Sequence, residues 1–156
     1  MAGVDGSPAT PSGSAYRIDT SVVIAASRAR VWQALTEPAL LERWLSDQPV
    51  NITTTWQVGA PIITSGDFHG KTYTNKGVIL AHEPPDTLSY TYWSSLSEQA
   101  DVPENYSAIE FSLAPEAGGT HLRLTHTNRT TPEIFGHWRF YWRMALQRLK
   151  RLAEEA

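Results

Sequence analysis

The stretch that follows Thr131-Pro132 constrains the fold more than any other part of the chain. At about 100° per residue, Ile134, Trp138, Tyr141, Trp142, Ala145, Leu149 and Leu152 fall on one stripe, and Arg139, Arg143, Gln147, Lys150 and Glu154 fall opposite. Thr131 suits an N-cap and Pro132 the first helical position, where a missing N–H costs nothing. About 22 residues at about 1.5 Å each give a helix of roughly 33 Å, enough to cross a whole domain. A helix with one apolar stripe must lay that stripe on something.

The rest of the chain supplies a sheet. Ile18, Thr20, Val22, Val23 and Ile24 predict a first strand over residues 16–26. Ser27 then caps a short helix carrying Val31, Ala34 and Leu35, and Pro38 stops that helix and opens a second with Leu41, Trp44 and Leu45. From Pro49 to Asn128 the texture is strand-like. Short runs are expected over 52–57 and 62–68 and a longer one over 73–82, ended by Pro84-Pro85. Leu88, Tyr90 and Tyr92 alternate with Ser89 and Thr91. So do Ile109, Phe111 and Leu113, and Leu122, Leu124 and His126, with their polar neighbours. Gly118-Gly119 marks a tight turn, and residues 94–105 read as a polar loop. Strands joined by short turns predict an antiparallel meander with one dry face. The fold class is therefore α+β: a curved antiparallel sheet of six or seven strands wrapped round the C-terminal helix, with two short helices after the first strand. A sheet curled on one cylinder leaves a gap beside it unless side chains fill that gap.

Composition bounds the rest. The chain has 156 residues, which fits one domain over residues 15–156. Residues 1–14, mostly Gly, Ser, Ala, Pro and Thr, have little to bury and are expected to form a disordered tail. The net charge of −3, with both signs scattered, argues against nucleic acid or an anionic membrane as partner. With no cysteine, thiolate catalysis and Cys-based metal sites are excluded. Residues 1–15 hold no basic residue and no apolar block, so a cytoplasmic location is expected. A homodimer and a monomer are both left open.

Several motifs occur in an order that resembles a known family. Ala29-Arg30-Val31-Trp32-Gln33-Ala34-Leu35-Thr36-Glu37-Pro38, with Leu41 and Trp44-Leu45, is similar to the opening signature of the heat-shock-protein ATPase activator homologues, in the START-like (SRPBCC) helix-grip superfamily. Trp56-x-x-Gly59-x-Pro61, Gly77-Val78-Ile79-Leu80 with Pro84-Pro85-x-x-Leu88-x-Tyr90, and Trp142-x-x-x-Leu146-x-x-Leu149-Lys150 resemble its later landmarks. The resemblance covers residues 16–154 and implies the helix-grip fold with a cavity between sheet and helix. It does not choose a function, because the superfamily includes carriers, receptors, cyclases and chaperone activators.

The candidate ligand-binding residues are Trp44, Trp56, Tyr90, Tyr92, Phe111, Leu124, His126, Trp138, Tyr141 and Trp142. Tyr and Trp bring apolar area with one polar handle, which suits a small hydrophobic or amphipathic molecule. His126 shares inward parity with Leu122 and Leu124, and His82 shares parity with Val78 and Leu80. Either imidazole, facing a cavity, could orient a ligand or move a proton, but a histidine satisfied within the core is the favoured reading. Arg28 and Arg30 sit in a first helical turn, where the macrodipole disfavours cations; this suggests a contact surface or a small tolerated cost. There is no metal-ligand spacing, nucleophile elbow, P-loop or dinucleotide fingerprint, so no catalytic residue, metal or cofactor is assigned. The expectation is a carrier or sensor. The alternative is a cavity enzyme of cyclase or hydrolase type using His or Tyr. A co-chaperone ranks third, since a lone domain lacks the second contact surface such activators use.

Overall fold

The computed structural model describes residues 14–46 and 48–155. The expected tail lies outside the described residues except for Ser14, which already pairs with Thr130 in the first strand. In chain order the elements are β1 (Ser14–Ile24), α1 (Arg28–Thr36), α2 (Pro38–Leu45), β2 (Val50–Thr53), β3 (Pro61–Phe68), β4 (Lys71–Glu83), β5 (Thr87–Ser94), β6 (Ser107–Glu116), β7 (Gly119–Thr130) and α3 (Pro132–Glu154). The loop between β5 and β6 contains two single-turn 3₁₀ segments, Ser95–Ser97 and Pro103–Asn105.

The seven strands form one sheet in the order β1-β7-β6-β5-β4-β3-β2, every pair antiparallel. β1 and β2 follow one another in sequence but lie at opposite edges. α1 and α2 carry the chain across from one edge to the other. The junctions are those the sequence predicts. Ser27 Oγ accepts from Arg30 N at 3.1 Å. Glu37 ends α1, donating its N–H to Gln33 O at 2.8 Å, and its own carbonyl accepts from Leu41 N at 2.8 Å to start α2. Thr131 Oγ1 caps α3, accepting from Ile134 N at 3.3 Å.

The core lies where the sheet closes on α3. Ile18, Leu88, Ile109, Phe111, Leu122 and Leu124 pack against Trp142, Ala145, Leu146, Leu149 and Leu152, with Val31, Leu35, Leu41 and Trp44 of the short helices between. Full burial of such a side chain contributes roughly 1.5–3 kcal/mol, so this end holds most of the fold's stability. The first-turn arginines answer this packing. Arg28 pairs with Asp86, and Arg30 Nη2 donates to the Leu152 carbonyl at 3.3 Å. A cation unfavourable to α1 thus serves the C-terminus of α3, where the macrodipole favours it.

Two strands differ from expectation. β2 stops at Thr53, because the chain turns away at Trp56, whose φ is +66°. In β4 the register with β5 shifts by one residue between Ile79 and Ala81. That bulge reverses the parity of His82. Val78 and Leu80 point outward, 40% and 48% exposed, whereas His82 turns inward between Trp32 and Trp56. On α3, Ile134 does not join the buried stripe, being 45% exposed. Phe135 anchors the first turn instead, stacked on Tyr16 of β1 with ring centroids 4.5 Å apart.

Candidate functional site

Packing is complete around the second half of α3 and incomplete around the first. A cavity of about 430 Å³ lies there, within the roughly 300–1,000 Å³ of small-molecule sites. β3 to β7 supply its floor, the first half of α3 its roof, and the end of α2 with β2 one side. The loop after β5 borders the opening with Leu96, Ser97 and Gln99.

Six of the ten candidate residues meet in this wall: Trp56, Tyr90, Tyr92, Trp138, Tyr141 and Trp142. Their rings interlock. Tyr92 meets Trp138 edge-on at 5.3 Å, and Trp138 meets Tyr141 edge-on at 5.5 Å and stacks on Trp142 at 6.4 Å. Trp44, Phe111, Leu124 and His126 lie behind the wall, in the core rather than on the cavity surface. Trp44 donates its indole N–H to Ala34 O at 2.8 Å and sets its ring edge-on to Phe111 at 6.3 Å. Strand parity separates inward from outward; it does not separate cavity from core.

His126 forms a directed polar chain. The Trp142 indole is a donor only, and it donates to His126 Nδ1 at 2.9 Å. The imidazole proton therefore sits on Nε2, which donates to Ser107 Oγ at 2.9 Å. The Ser107 hydroxyl donates in turn to Tyr92 O at 3.3 Å. Burial lowers the His126 pKa to about 4, so the ring is neutral at pH 7. With both nitrogens engaged, it can move a proton only by breaking the chain. Its partners are the side chains of Trp142 and Ser107.

The tyrosines are held neutral more strongly still. Burial pushes the phenol of Tyr92 up to about 12 and those of Tyr90 and Tyr141 higher, each raised further by neighbouring tyrosines. Tyr141 is committed, donating to Leu45 O at 2.6 Å and tying α3 to α2. Among the described residues the Tyr90 hydroxyl has no such acceptor. Tyr90 also keeps part of its surface uncovered, and that part faces the cavity.

Other wall residues escape sequence reasoning. Tyr73 and Asn75 share the inner face of β4, but three consecutive apolar residues, Val78-Ile79-Leu80, hide the parity there. Asn75 Oδ1 is buried without a partner among the described residues, a cost of about 1–3 kcal/mol. Ser107 and Thr64 are also part of the wall. Their sequence signal, a polar residue on an inward position, exists but looks like any half-buried strand. Among the described residues no three His, Asp or Glu side chains gather to hold a metal ion, and no helix is long and apolar enough to cross a membrane.

A seven-stranded antiparallel sheet closed on one long C-terminal helix, with two short helices after the first strand, defines the helix-grip class. Residues 25–154 match the family described as "Activator of Hsp90 ATPase homolog 1-like protein", and the chain belongs to that family. Solved structures agree. ChR145 from Cytophaga hutchinsonii is 29% identical, with a TM-score of 0.77 over 89% of this chain and 94% of that one. The Aha1 dimer from Colwellia psychrerythraea is 25% identical, with a TM-score of 0.71 over 89% and 96%. CalU16 from Micromonospora echinospora is also 25% identical, with a TM-score of 0.68 over 90% and 77%. No curated protein matches the sequence.

Proposed function

We propose that this domain binds a small hydrophobic or amphipathic molecule in the cavity between the sheet and the first half of α3, as a carrier or sensor. The observation that carries the reading is a cavity of about 430 Å³ walled by four tryptophans and a group of neutral tyrosines. Such a wall is costly to leave facing water, since each aromatic gives up burial it could have had. An occupant recovers that loss. An enzymatic reading gains little support, because the one buried histidine has both nitrogens committed. The family description raises stimulation of a chaperone ATPase, but the aromatic and polar groups of this chain converge on an interior space, not on a surface.

Native mass spectrometry of freshly purified protein tests the proposal, followed by thermal shift with fatty alcohols, isoprenoids and polycyclic aromatics. A co-purifying molecule, or stabilisation by one class, is expected. A bare mass together with no shift from any class would reject it. The Colwellia relative is a dimer, and extending that to this chain is tested by light scattering after gel filtration.

A further inference from the structure

The cavity wall also restricts the charge of its occupant, a point that rests on the ligand-binding reading above. Among the described wall residues there is no Asp, Glu or Arg, and the one Lys is Lys76. Its ammonium is already used, paired with Asp101 and lying 5.6 Å above the Trp93 ring. His137 is exposed at the mouth. The guanidinium whose charge reaches Tyr141 is that of Arg148, which stands outside the wall and donates to Trp44 O at 2.9 Å. No cation therefore waits in the interior for an anionic group. The wall itself shows what negative charge meets there: the phenols of Tyr90, Tyr92 and Tyr141 all resist ionisation, chiefly because they are buried. A carboxylate or sulfonate placed beside them would lose its water in the same way. A neutral oxygen would not, because the Tyr90 hydroxyl has a proton to donate and no acceptor among the described residues.

We infer that the cavity takes uncharged molecules, with an apolar and partly aromatic body and one oxygen acceptor bound by the Tyr90 hydroxyl, and that it excludes anions of the same shape. A matched pair of fluorescent probes tests the charge rule. N-phenyl-1-naphthylamine is neutral, and 1-anilinonaphthalene-8-sulfonate has the same skeleton with an added sulfonate. The neutral probe is titrated directly and the sulfonate by its displacement, so that both report on one site. The neutral probe is expected to bind at least about tenfold more tightly, since burying an unpaired charge costs well over the 1.4 kcal/mol that tenfold represents. Equal or tighter binding of the sulfonate overturns the charge rule and leaves the ligand-binding reading standing. Failure of the neutral probe to bind also overturns the charge rule, while the ligand-binding reading falls only with a bare mass and no thermal shift.

The acceptor is tested with 6-propionyl-2-dimethylaminonaphthalene, whose emission reddens when its carbonyl receives a hydrogen bond. Bound emission is expected to shift to the blue in Tyr90→Phe. The same emission in Tyr90→Phe as in the parent overturns the assignment to Tyr90. If Tyr90→Phe folds poorly, the parent protein still decides: bound emission as blue as in hydrocarbon solvent means that no donor reaches the carbonyl.

Discussion

The imidazole of His126 is neutral because burial leaves its charged form without water, and its neighbours are arranged for one tautomer. An unfolded histidine titrates near 6.5, and this one is held at about 4. Between those values the unfolded chain binds the extra proton, so stability rises with pH over that window and is complete above 6.5. Taking the protein from pH 7.5 to 4.5 should therefore cost about 2–3 kcal/mol through this group. Urea denaturation at the two pH values, in the parent and in His126→Gln, measures it. The variant should be less stable at pH 7.5 but should lose distinctly less on acidification. An equal loss in both would show that other groups set the acid limb. Sequence parity places His126 on the inner face beside Leu122 and Leu124, and the structure agrees. Its partners are not legible, because Ser107 and Trp142 stand 19 and 16 residues away on other elements.

Within the elements, β4 departs furthest from what its residues suggest. Regular pairing with β5 lapses at Gly77 and Val78, and Val78 N donates to Thr91 Oγ1 at 2.9 Å instead of to a backbone carbonyl. A Cβ on Gly77 would lie 1.7 Å from Thr91 O, closer than any two non-bonded atoms can stand. Gly77→Ala is accordingly expected to cost about 3 kcal/mol or more, read from the denaturation midpoint. A variant as stable as the parent would mean that β5 moves aside freely. The helices were legible because capping residues and an amphipathic period act locally: Ser27, Pro38 and Thr131 all do what their chemistry predicts. The bulge after Ile79 was not, because Val78-Ile79-Leu80 offers three apolar residues in a row and no alternation to break. Trp56, turned away from β2 at a positive φ, is another departure that β-propensity conceals.

For the whole molecule, the pattern of elements and the resemblance to a family both indicate a sheet closed on a helix, and the structure has that form with seven strands. What the pattern could not supply is the boundary between filled and unfilled space. That boundary depends on rings brought together from β5 and α3. The loop after β5 is pinned at the cavity mouth by one contact from another element and two within its own neighbourhood. Lys76 of β4 pairs with Asp101, Tyr106 donates to Asp101 at 2.5 Å, and the Trp93 indole donates to Gln99 O at 3.2 Å. Lys76 and Tyr106 hold the Asp101 carboxyl below its usual range. If the loop gates the cavity, Asp101→Asn should release bound N-phenyl-1-naphthylamine severalfold faster in stopped-flow while leaving the unfolding midpoint nearly unchanged. An unaltered release rate would place the exit elsewhere. The division of α3 has a further consequence. Its buried residues begin at Trp142, and the first three turns carry the cavity wall. Apart from the ties made by Phe135 and Tyr141, substitutions that reshape the cavity thus fall mostly outside the most deeply buried residues of the helix. One scaffold can change the shape of its cavity over evolutionary time without losing its core, and libraries confined to the first half of the helix that spare Phe135 and Tyr141 should yield folded variants in high proportion.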